Sequence, residues 1–521
     1  MRIIFTGFVL LFSFVLNAQN LNMELLGRLE YSVELSDIWG YQDEEGNEYA
    51  LVGLNNNFSV VDVTDGANPT EVFRTIGGSS SAWRDIKTWG DYAYITCECG
   101  PGLLIVDLSP LPQSSNLTYT YWVGDSLTFY QAHNLFIDEN GIAYIFGAFY
   151  SAGGAIMLDL NDDPMDPKPI GMYDEEYLHD GVVRGDTLWG SAVNIGEMQV
   201  IDVSDKTNPV KMSSWKTPSS FTHNAWFSDD NKYLFTTDEV RNGSIAAYNV
   251  SNIYNPTEMY VWKVSDTAII PHNTHWMNDF LITSHYTIGV NIIDVKRPNN
   301  MIQTGVYDTS PDYNYEGFHG AWGAYPFLPS GKILVSDIET GLYVFQPTYV
   351  RGCYLEGTVK DLHTNGPIFF PTIKILENNT STDGDIVGDF AIATLDAGNY
   401  TVAVSADGYF PDTIENVSLS NGELTVLDVK LSNWPVGVSE SNFSHARFAF
   451  YPNPSTGWLE YENSGDFDGL VIYDLLGREV LRDDLKDARG VIRLEFLPNG
   501  TYRLVVSNSF SNLEYSFIVA K

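Results

Sequence analysis

Short apolar strands recur along the first two thirds of the chain, and most of them end in the same way. LLIVDLS, MQVIDVS and VNIIDVK are apolar runs that reach an Asp, and related segments end at Asp or Asn before a turn that contains Pro or Asn. A shorter strand of aromatic and β-branched residues precedes each run, as in YAYIT, AYIFGA and YLFTTD. Another strand follows the turns, as in EVFRTI and VKMSSW. The pattern predicts repeated groups of short β-strands separated by turns.

These groups form a repeat with a period of about 45 residues. A short polar segment precedes the aromatic strand of each group, and its first two residues align in seven copies. Copies that follow each other along the chain are 44 to 49 residues apart. The seven pairs are Ser36-Asp37, Arg84-Asp85, His133-Asn134, His179-Asp180, His223-Asn224, His272-Asn273 and His319-Gly320.

Four short strands in a unit of about 45 residues are typical of a β-propeller blade. Seven units therefore predict a seven-bladed propeller over residues 19–350. The seventh unit ends at GLYVFQPTYV without a fourth strand, whereas MELLGRLEY, at residues 23–31, resembles the fourth strands of the other units. We expect this segment to complete the last blade, because that closes the ring and removes exposed sheet edges.

The pattern changes after Arg351 to short alternating strands at the spacing of a β-sandwich. The segments CYLEGTVKD, GDFAIATL and GNYTVAVSADGYF carry this pattern. They resemble the carboxypeptidase regulatory-like domain, a β-sandwich of the transthyretin type. The resemblance implies a spacer or binding module over residues 353–431, with no catalytic residues.

The end of the chain carries the motifs AFYPNPSTGWLEYE and LVIYDLLGREVL and a terminal lysine. Residues 447–521 resemble the C-terminal sorting domain of the type IX secretion system of Bacteroidetes. The resemblance implies transit through the outer membrane by that machinery, removal of the domain, and release or attachment at the cell surface. Residues 432–446, rich in Ser and Asn, are predicted to be an exposed linker. The predicted fold class is therefore all-β, a seven-bladed β-propeller followed by two small β-sandwich domains.

The N-terminus has the features of a secretory signal peptide at residues 1–18. One basic residue, Arg2, precedes an apolar run that ends at Leu16, and the small residue Ala18 precedes the expected cleavage point. No second long apolar run follows, so we expect no transmembrane segment in the mature chain. Together with the sorting domain, this predicts a protein that is secreted or held at the outer cell surface.

Charge and short motifs exclude several classes of function. The chain has 67 acidic and 28 basic residues and a formal net charge of −39, whereas nucleic-acid binding needs Lys and Arg to neutralise phosphates. G-x-S-x-G, the P-loop and H-E-x-x-H do not occur in the sequence. The three cysteines predict no disulfide framework, and the lone Cys97-Glu98-Cys99 pair is a weak metal-binding signal.

Candidate chemistry is concentrated at the repeated polar pair. Residues that enter the innermost strand of each blade lie on one face near the central axis, so equivalent side chains are predicted to form a ring. Imidazoles in such a ring could supply three or four nitrogen ligands to Zn, Cu or Fe. Ser36 and Arg84 fill two of the seven positions, and His275, three residues after His272, could replace it. The candidate metal ligands are His133, His179, His223, His272 and His319.

Loops between the second and third strands open on the same face and carry further polar groups. Carboxylates there could orient the ligating histidines without binding the metal themselves. They could also bind Ca²⁺ directly. The candidates are Asp238, Glu239, His285, Asp337 and Glu339, with Cys97-Glu98-Cys99 in another blade.

Three interpretations of the histidine ring stay open from the sequence. A repeated His or Asn can cap a loop and satisfy backbone groups, in which case the ring reflects duplication alone. The ring can hold a transition metal. It can also line a polar funnel for a ligand without a metal.

SAWRDIKTWGDYAYIT and FTHNAWFSDDNKYLFTTDE, with the LVIVD-like strands, resemble the choice-of-anchor B family of LVIVD-repeat propellers. The resemblance covers residues 30–347 and implies an exported core with interchangeable anchoring ends, but no activity. Our first hypothesis is an exported binding or interaction module with a surface carbohydrate or protein ligand. The alternatives are a metalloenzyme with an ion on the propeller axis and a structural surface scaffold.

Overall fold

The computed structural model describes residues 20–124, 129–264, 268–313, 317–433, 448–463, 467–475, 477–508 and 512–521. Every regular element in these ranges is a β-strand, and no helix there is long and apolar enough to cross a membrane. The predicted signal peptide and most of the predicted linker lie outside the described residues. The chain forms two compact units, Met1–Trp434 and Pro435–Lys521.

Seven antiparallel sheets follow one another through the first unit. Two strands precede the first sheet, β1 (Asn20–Leu21) and β2 (Met23–Leu29). The first blade is β3 (Leu35–Gln42), β4 (Glu48–Leu54), β5 (Asn57–Asp62) and β6 (Thr70–Arg74). The second is β7 (Arg84–Trp89), β8 (Tyr92–Cys97), β9 (Leu103–Asp107) and β10 (Tyr119–Trp122). The third is β11 (Asn134–Ile137), β12 (Ile142–Phe146), β13 (Ala155–Asp159) and β14 (Lys168–Tyr173).

The remaining four blades repeat this order. The fourth is β15 (Asp180–Arg184), β16 (Thr187–Ala192), β17 (Glu197–Asp202) and β18 (Val210–Lys216). The fifth is β19 (Thr222–Phe227), β20 (Tyr233–Asp238), β21 (Ile245–Asn249) and β22 (Thr257–Trp262). The sixth is β23 (Thr274–Met277), β24 (Phe280–Ser284), β25 (Val290–Asp294) and β26 (Ile302–Tyr307). The seventh has β27 (Ala321–Tyr325), β28 (Ile333–Asp337) and β29 (Gly341–Pro347).

The N-terminal strand closes the ring, as the sequence predicted. β2 pairs antiparallel with β29, so Met23 lies opposite Pro347 and Leu29 opposite Leu342. The first strand of each blade contacts the first strands of its neighbours, and β27 contacts β3, which completes the circle. The seven-bladed prediction is therefore confirmed. One feature was not predicted: β1 adds a fifth strand to the sixth blade by pairing with β26.

The axis of the propeller is packed with side chains behind the repeated polar pair. The ammonium of Lys87 lies 2.6 Å from Oδ1 of Asp85 and 3.9 Å from Oδ2 of Asp37, and it also lies over the ring of Trp39. Oδ2 of Asp37 also accepts a 3.0 Å hydrogen bond from the backbone N–H of Ile86 in the next blade. The Asp of the pair therefore ties neighbouring blades together.

A β-sandwich follows the propeller in the same compact unit. One sheet has the order β33-β30-β36, with β37 also paired to β30, and the other has the order β32-β31-β34-β35. Their facing side chains form one apolar core that includes Leu355, Ile373 and Val402. The strands are β30 (Cys353–Asp361), β31 (Thr372–Ile375), β32 (Ser381–Asp383), β33 (Asp389–Thr394), β34 (Gly398–Ser405), β35 (Asp412–Leu419), β36 (Leu424–Val426) and β37 (Val429–Leu431).

The second compact unit is also a two-sheet β structure. Its sheets have the orders β38-β39-β42 and β41-β40-β43-β44. Leu459, Leu470 and Leu504 are fully buried in its core. The strands are β38 (Phe448–Tyr451), β39 (Trp458–Asn463), β40 (Gly469–Tyr473), β41 (Glu479–Asp484), β42 (Arg489–Arg493), β43 (Gly500–Ser507) and β44 (Asn512–Val519).

Candidate metal centre on the propeller axis

Four of the five predicted ring histidines come together where the innermost strands begin. The ring centroids of His133 and His179 are 4.0 Å apart, and those of His179 and His223 are 4.5 Å apart. The next pair, His223 and His272, is also separated by 4.5 Å. These residues occupy the same position in four successive blades, so the propeller geometry itself places their rings in an arc around the axis.

Glu239 places its carboxylate against this arc from the loop after β20. Its Oε2 atom lies 3.3 Å from Nε2 of His223, and its Oε1 atom lies 3.7 Å from Nε2 of His272. Donor atoms of His179, His223 and Glu239 all lie within 4.8 Å of one another. Ligands that share one Zn²⁺ ion at about 2 Å are themselves about 3 to 4 Å apart. A small inward movement would let these three groups share an ion.

Tyr286 holds Glu239 in this position. Its hydroxyl donates a 2.6 Å hydrogen bond to Oε1 of Glu239, and its buried ring lies 4.9 Å from that of His272. The φ angle of Tyr286 is 41°, which is rare for a bulky residue. Two backbone hydrogen bonds with Ala321, of 3.1 and 3.0 Å, maintain that conformation. Backbone strain of this kind is concentrated at functional sites.

Three of the repeat histidines have their Nδ1 atom fixed by an oxygen. Oε1 of Glu98 lies 2.7 Å from Nδ1 of His133, and the backbone oxygen of Trp322 accepts a 2.5 Å hydrogen bond from Nδ1 of His272. His319 Nδ1 has a carboxylate partner at 2.5 Å, Oε1 of Glu339. A hydrogen bond at Nδ1 fixes the tautomer that leaves Nε2 able to bind a metal.

The Cys-Glu-Cys segment has a structural role that the sequence did not indicate. Cys97 and Cys99 form a disulfide, so their sulfur atoms are not free thiolate ligands. Glu98 lies between them and contacts His133. The disulfide therefore constrains the short loop that presents this carboxylate to the arc.

Two imidazole nitrogens in the arc have no hydrogen-bond partner in the described part of the chain. They are Nδ1 of His179 and Nδ1 of His223, and both atoms are buried. The His223 residue is only 2% exposed. Leaving a buried polar atom unpaired costs about 1 to 3 kcal/mol. For His223, it is the other ring nitrogen, Nε2, that lies against the Glu239 carboxylate.

Burial also determines the protonation of the arc. It lowers the pKa of His179 and His223 well below the usual value, and neighbouring imidazoles lower it further. The pKa of His272 falls to about 3, mainly through burial. Burial raises the pKa of Glu239 to about 7, against the lowering effects of the Tyr286 hydrogen bond and of His133. His179, His223 and His272 are therefore neutral at pH 7, and a neutral imidazole can offer a lone pair to a metal.

The structure does not bring His319 or His285 into the arc. The His319 side chain is 42% exposed, and its ring stacks on Tyr313 at 4.6 Å. The His285 ring is buried, with its Nδ1 atom 3.3 Å from the amide of Asn291. In the described residues, neither ring is in contact with another histidine.

Asp238 and Asp337 stabilise loops and do not face the arc. The Asp238 carboxylate accepts hydrogen bonds from the Thr217 hydroxyl and from the Ser219 backbone at 2.5 and 2.8 Å. The Asp337 carboxylate accepts them from the Thr309 hydroxyl at 2.6 Å and the Thr340 backbone at 2.8 Å. Both carboxylates are therefore occupied by groups of the loops that surround them.

The structure also accounts for Arg84, at a repeat position without histidine, and for His275. Arg84 donates hydrogen bonds to the backbone oxygens of Leu54 and Ser79, at 2.6 and 2.8 Å. Among the described residues, its charge is therefore compensated by carbonyl groups and not by a carboxylate. His275 does not replace His272, because its ring packs against Trp226 and Trp39 in an aromatic cluster.

Sequence reasoning named Glu98 only as part of a loop on the histidine face, and it missed the role of Tyr286. Glu98 follows the last residue of β8, just as Glu239 follows the last residue of β20. The two carboxylates therefore occupy the same position in their blades, as the comparison of these loops in the sequence indicated. No signal in the sequence marked Tyr286, because its position depends on a left-handed backbone and on contacts with the next blade.

Exposed apolar side chains surround the mouth of the arc. Loops that enter β-strands one and three of a blade lie on the same face as the histidines, because strands alternate in direction. Most of the large exposed apolar residues described between residues 20 and 350 lie in these loops. They are Ile76, Trp83, Tyr130, Phe149, Tyr150, Ile195, Phe221 and Phe318, whereas Leu25, Val210 and Tyr254 lie elsewhere. Exposed apolar side chains of the propeller are therefore concentrated on the face that carries the histidines.

Three kinds of family model match segments of the chain. Residues 46–75, 81–125 and 192–217 match the LVIVD repeat. Residues 354–432 match the carboxypeptidase regulatory-like domain, and residues 449–520 match the secretion system C-terminal sorting domain. A search of curated proteins found no match. The sorting domain, of the type IX system, implies export to the cell surface or secretion.

Proposed function

We propose that this chain is an exported propeller that acts as a binding module, and that its central face binds a transition-metal ion through His179, His223 and Glu239. The observation that carries the proposal is the convergence of these donor atoms within 4.8 Å of one another. His133 and His272 flank them and can supply a further nitrogen.

The donor set favours a borderline transition metal over Ca²⁺. Ca²⁺ takes six to eight oxygen ligands, whereas imidazole nitrogens suit Zn, Cu and Fe. The site offers one carboxylate and several imidazoles. Zn²⁺ is the simplest occupant, because two imidazoles and a carboxylate are an established ligand set for that ion.

The wider assignment belongs to the same proposal. We assign residues 1–18 to a signal peptide, 19–350 to the propeller, 353–431 to the regulatory-like sandwich, 432–446 to a linker and 447–521 to the sorting domain. The core resembles choice-of-anchor B proteins, and the sorting domain indicates a bacterium of the Bacteroidetes. The LVIVD and sorting-domain matches support this assignment.

Metal analysis of the purified full chain tests the proposal. We expect near-stoichiometric Zn²⁺ uptake by the wild-type chain and its loss in a His179→Ala, His223→Ala double variant. His363→Ala is the matched control, because His363 is an exposed histidine of the sandwich. A wild-type chain that takes up no Zn²⁺, Cu²⁺ or Fe²⁺, or a double variant that retains full stoichiometry, would contradict the proposal.

A metalloenzyme is the second candidate, and one observation favours it. Three protein ligands leave a coordination position for water or substrate, which is the arrangement of catalytic zinc sites. The mouth of the arc is also surrounded by exposed aromatic residues. Hydrolysis of 4-nitrophenyl acetate and 4-nitrophenyl phosphate by the zinc-loaded chain, abolished in the double variant, would support this candidate. If the chain binds the metal but hydrolyses neither ester, the binding module is the function that the experiment supports.

A further inference from the structure

A second site lies away from the histidine arc, between the propeller and the sandwich that follows it. A cavity of about 1030 Å³ opens there. Its propeller wall comes from β22 and β26, and its sandwich wall comes from β32, β33 and the segment that precedes β32. Both walls belong to the same compact unit.

Charged hydrogen bonds fix the two walls of this cleft. Nε and Nη2 of Arg297 in the propeller donate to the two oxygens of Glu356 in the sandwich, each at 2.5 Å. Nη1 of Arg351 donates to Asp294 at 2.8 Å, and the Gly352 backbone donates to the same carboxylate at 2.8 Å. Bidentate Arg–carboxylate pairs are strong and geometrically specific. The cleft is thus bounded by preformed walls.

The lining combines aromatic rings with neutral hydrogen-bonding groups. Tyr260, Trp262 and Tyr400 are half-buried, so each leaves part of a ring available to a ligand. Amides and hydroxyls lie beside them, from residues that include Gln303, Asn378, Ser381 and Thr382. Aromatic faces with a few convergent polar groups are typical of small-ligand sites.

Charge narrows the class of ligand. The chain has a net charge of −39, yet the residues that line this cavity include one cation, Lys263, and one anion, Asp396. The lining is therefore neutral overall. A neighbouring cavity of about 580 Å³ shares Tyr260 and Thr382 with it. That cavity is lined by five carboxylates, of which Glu356 is paired with Arg297. The other four, Asp383, Asp385, Asp389 and Asp428, would repel an anion that extended along the cleft.

We propose that this cleft binds a neutral oligosaccharide. Sugar rings present C–H groups on one face, which pack on aromatic rings, and hydroxyls at their edges, which pair with amides and hydroxyls of the protein. An acidic polysaccharide would meet the carboxylates of the neighbouring cavity.

Calorimetric titration of the full chain tests the inference. The probes are cellohexaose, maltohexaose, mannohexaose and xylohexaose, with hexagalacturonate as the anionic counterpart. We expect saturable binding of at least one neutral hexasaccharide and at least tenfold weaker binding of hexagalacturonate. Trp262→Ala should weaken the neutral complex by at least tenfold, a loss expected for an aromatic anchor.

Two further single variants provide a second test of the lining and a control. Asn378→Ala changes an exposed lining residue and should weaken binding without affecting folding. Tyr254→Ala changes an exposed aromatic residue that does not line the cavity, and it should leave binding unchanged. The His179→Ala, His223→Ala variant should bind sugar normally, so failure of the metal proposal is distinguishable from failure of this one. Absence of binding to all four neutral probes at millimolar concentration would overturn the proposal. Equal affinity for the anionic probe, or binding unchanged by Trp262→Ala and Asn378→Ala, would do so as well.

Discussion

The hydroxyl of Tyr286 donates a 2.6 Å hydrogen bond to Glu239, although the two residues belong to different blades. Tyr286 follows β24 in the sixth blade, and Glu239 follows β20 in the fifth. The bond therefore crosses a blade interface beside the histidine arc. It fixes the carboxylate that completes the proposed ligand set, in the way that outer hydrogen bonds orient the ligands of known metal sites.

Tyr286→Phe should weaken metal binding with little effect on folding. The ring and its packing remain, but the carboxylate loses its hydrogen bond. Loss of such a partner typically costs about 10- to 100-fold in metal affinity, and we expect a reduction of Zn²⁺ affinity in that range. Competition titration with a chromophoric chelator measures it, and thermal melting of the metal-free variant serves as the folding control. Unchanged affinity would show that the Tyr286 hydrogen bond does not support the metal site.

His133 and His319 should differ although they occupy equivalent positions of the repeat. His133 lies 4.0 Å from His179 by ring centroids, whereas the exposed His319 ring stacks on Tyr313. We expect His133→Ala to reduce Zn²⁺ affinity at least about tenfold, as loss of a ligand or of its support does. His319→Ala should leave it within about twofold. Equal effects of the two substitutions in the same chelator competition would indicate a ring that closes around all five histidines.

The fold could be predicted from the sequence because its signals are local and repeated. Each blade carries its own strand pattern. One copy of this pattern is a weak signal, but seven aligned copies predict the strands clearly. The closure by β2 followed from the missing fourth strand of the last unit. By contrast, β1 is a two-residue strand that depends only on backbone pairing with β26, so side-chain patterns did not indicate it.

The candidate site could be predicted only in part. The repeat placed the histidines at one end of the axis, and the structure brings four of the five into contact. It could not show that His319 turns away, because that depends on stacking with Tyr313 and pairing with Glu339. Nor could it separate Glu239 from its neighbour Asp238, since only the structure shows that the Asp238 carboxylate pairs with Thr217 and Ser219.

Gly27 allows β2 to close the ring, and a larger residue there should weaken the closure. A Cβ atom at this position would lie 2.4 Å from the backbone oxygen of Gly66 and 2.9 Å from that of Ala67. Backbone atoms cannot move aside cheaply, so Gly27→Ala should reduce the free energy of unfolding by about 1 to 3 kcal/mol. Glu24→Ala, at an exposed position of the same strand, is the control. Denaturant unfolding of both variants checks the difference, and equal stability would show that the strand adjusts without cost.

A buried ion pair links the first blade to the seventh, the blade that β2 completes. Nζ of Lys332 donates to Oε2 of Glu48 at 2.9 Å, and both residues are less than a tenth exposed. The hydroxyl and the backbone N–H of Ser330 also donate to this carboxylate, at 2.6 and 2.8 Å. Burial raises the pKa of Glu48, but the bonds from Ser330 and Lys332 outweigh it and hold the pKa below its usual value.

Glu48→Gln should therefore destabilise the chain in a pH-dependent manner. A carboxylate whose pKa is lower in the folded state stabilises fully above the unfolded pKa of about 4.3, and this contribution is lost as pH falls through the folded pKa. At pH 7, we expect the free energy of unfolding of Glu48→Gln to be about 2 to 3 kcal/mol lower than that of the wild type, because a charged hydrogen-bond acceptor for buried Lys332 is removed. This difference in the free energy of unfolding should be the same at pH 6, and it should become smaller below pH 4. Urea unfolding across this range measures it, with exposed Glu34→Gln as the control. A deficit that stays constant or grows as the pH falls to 3 would show that Glu48 is not the charged partner of Lys332.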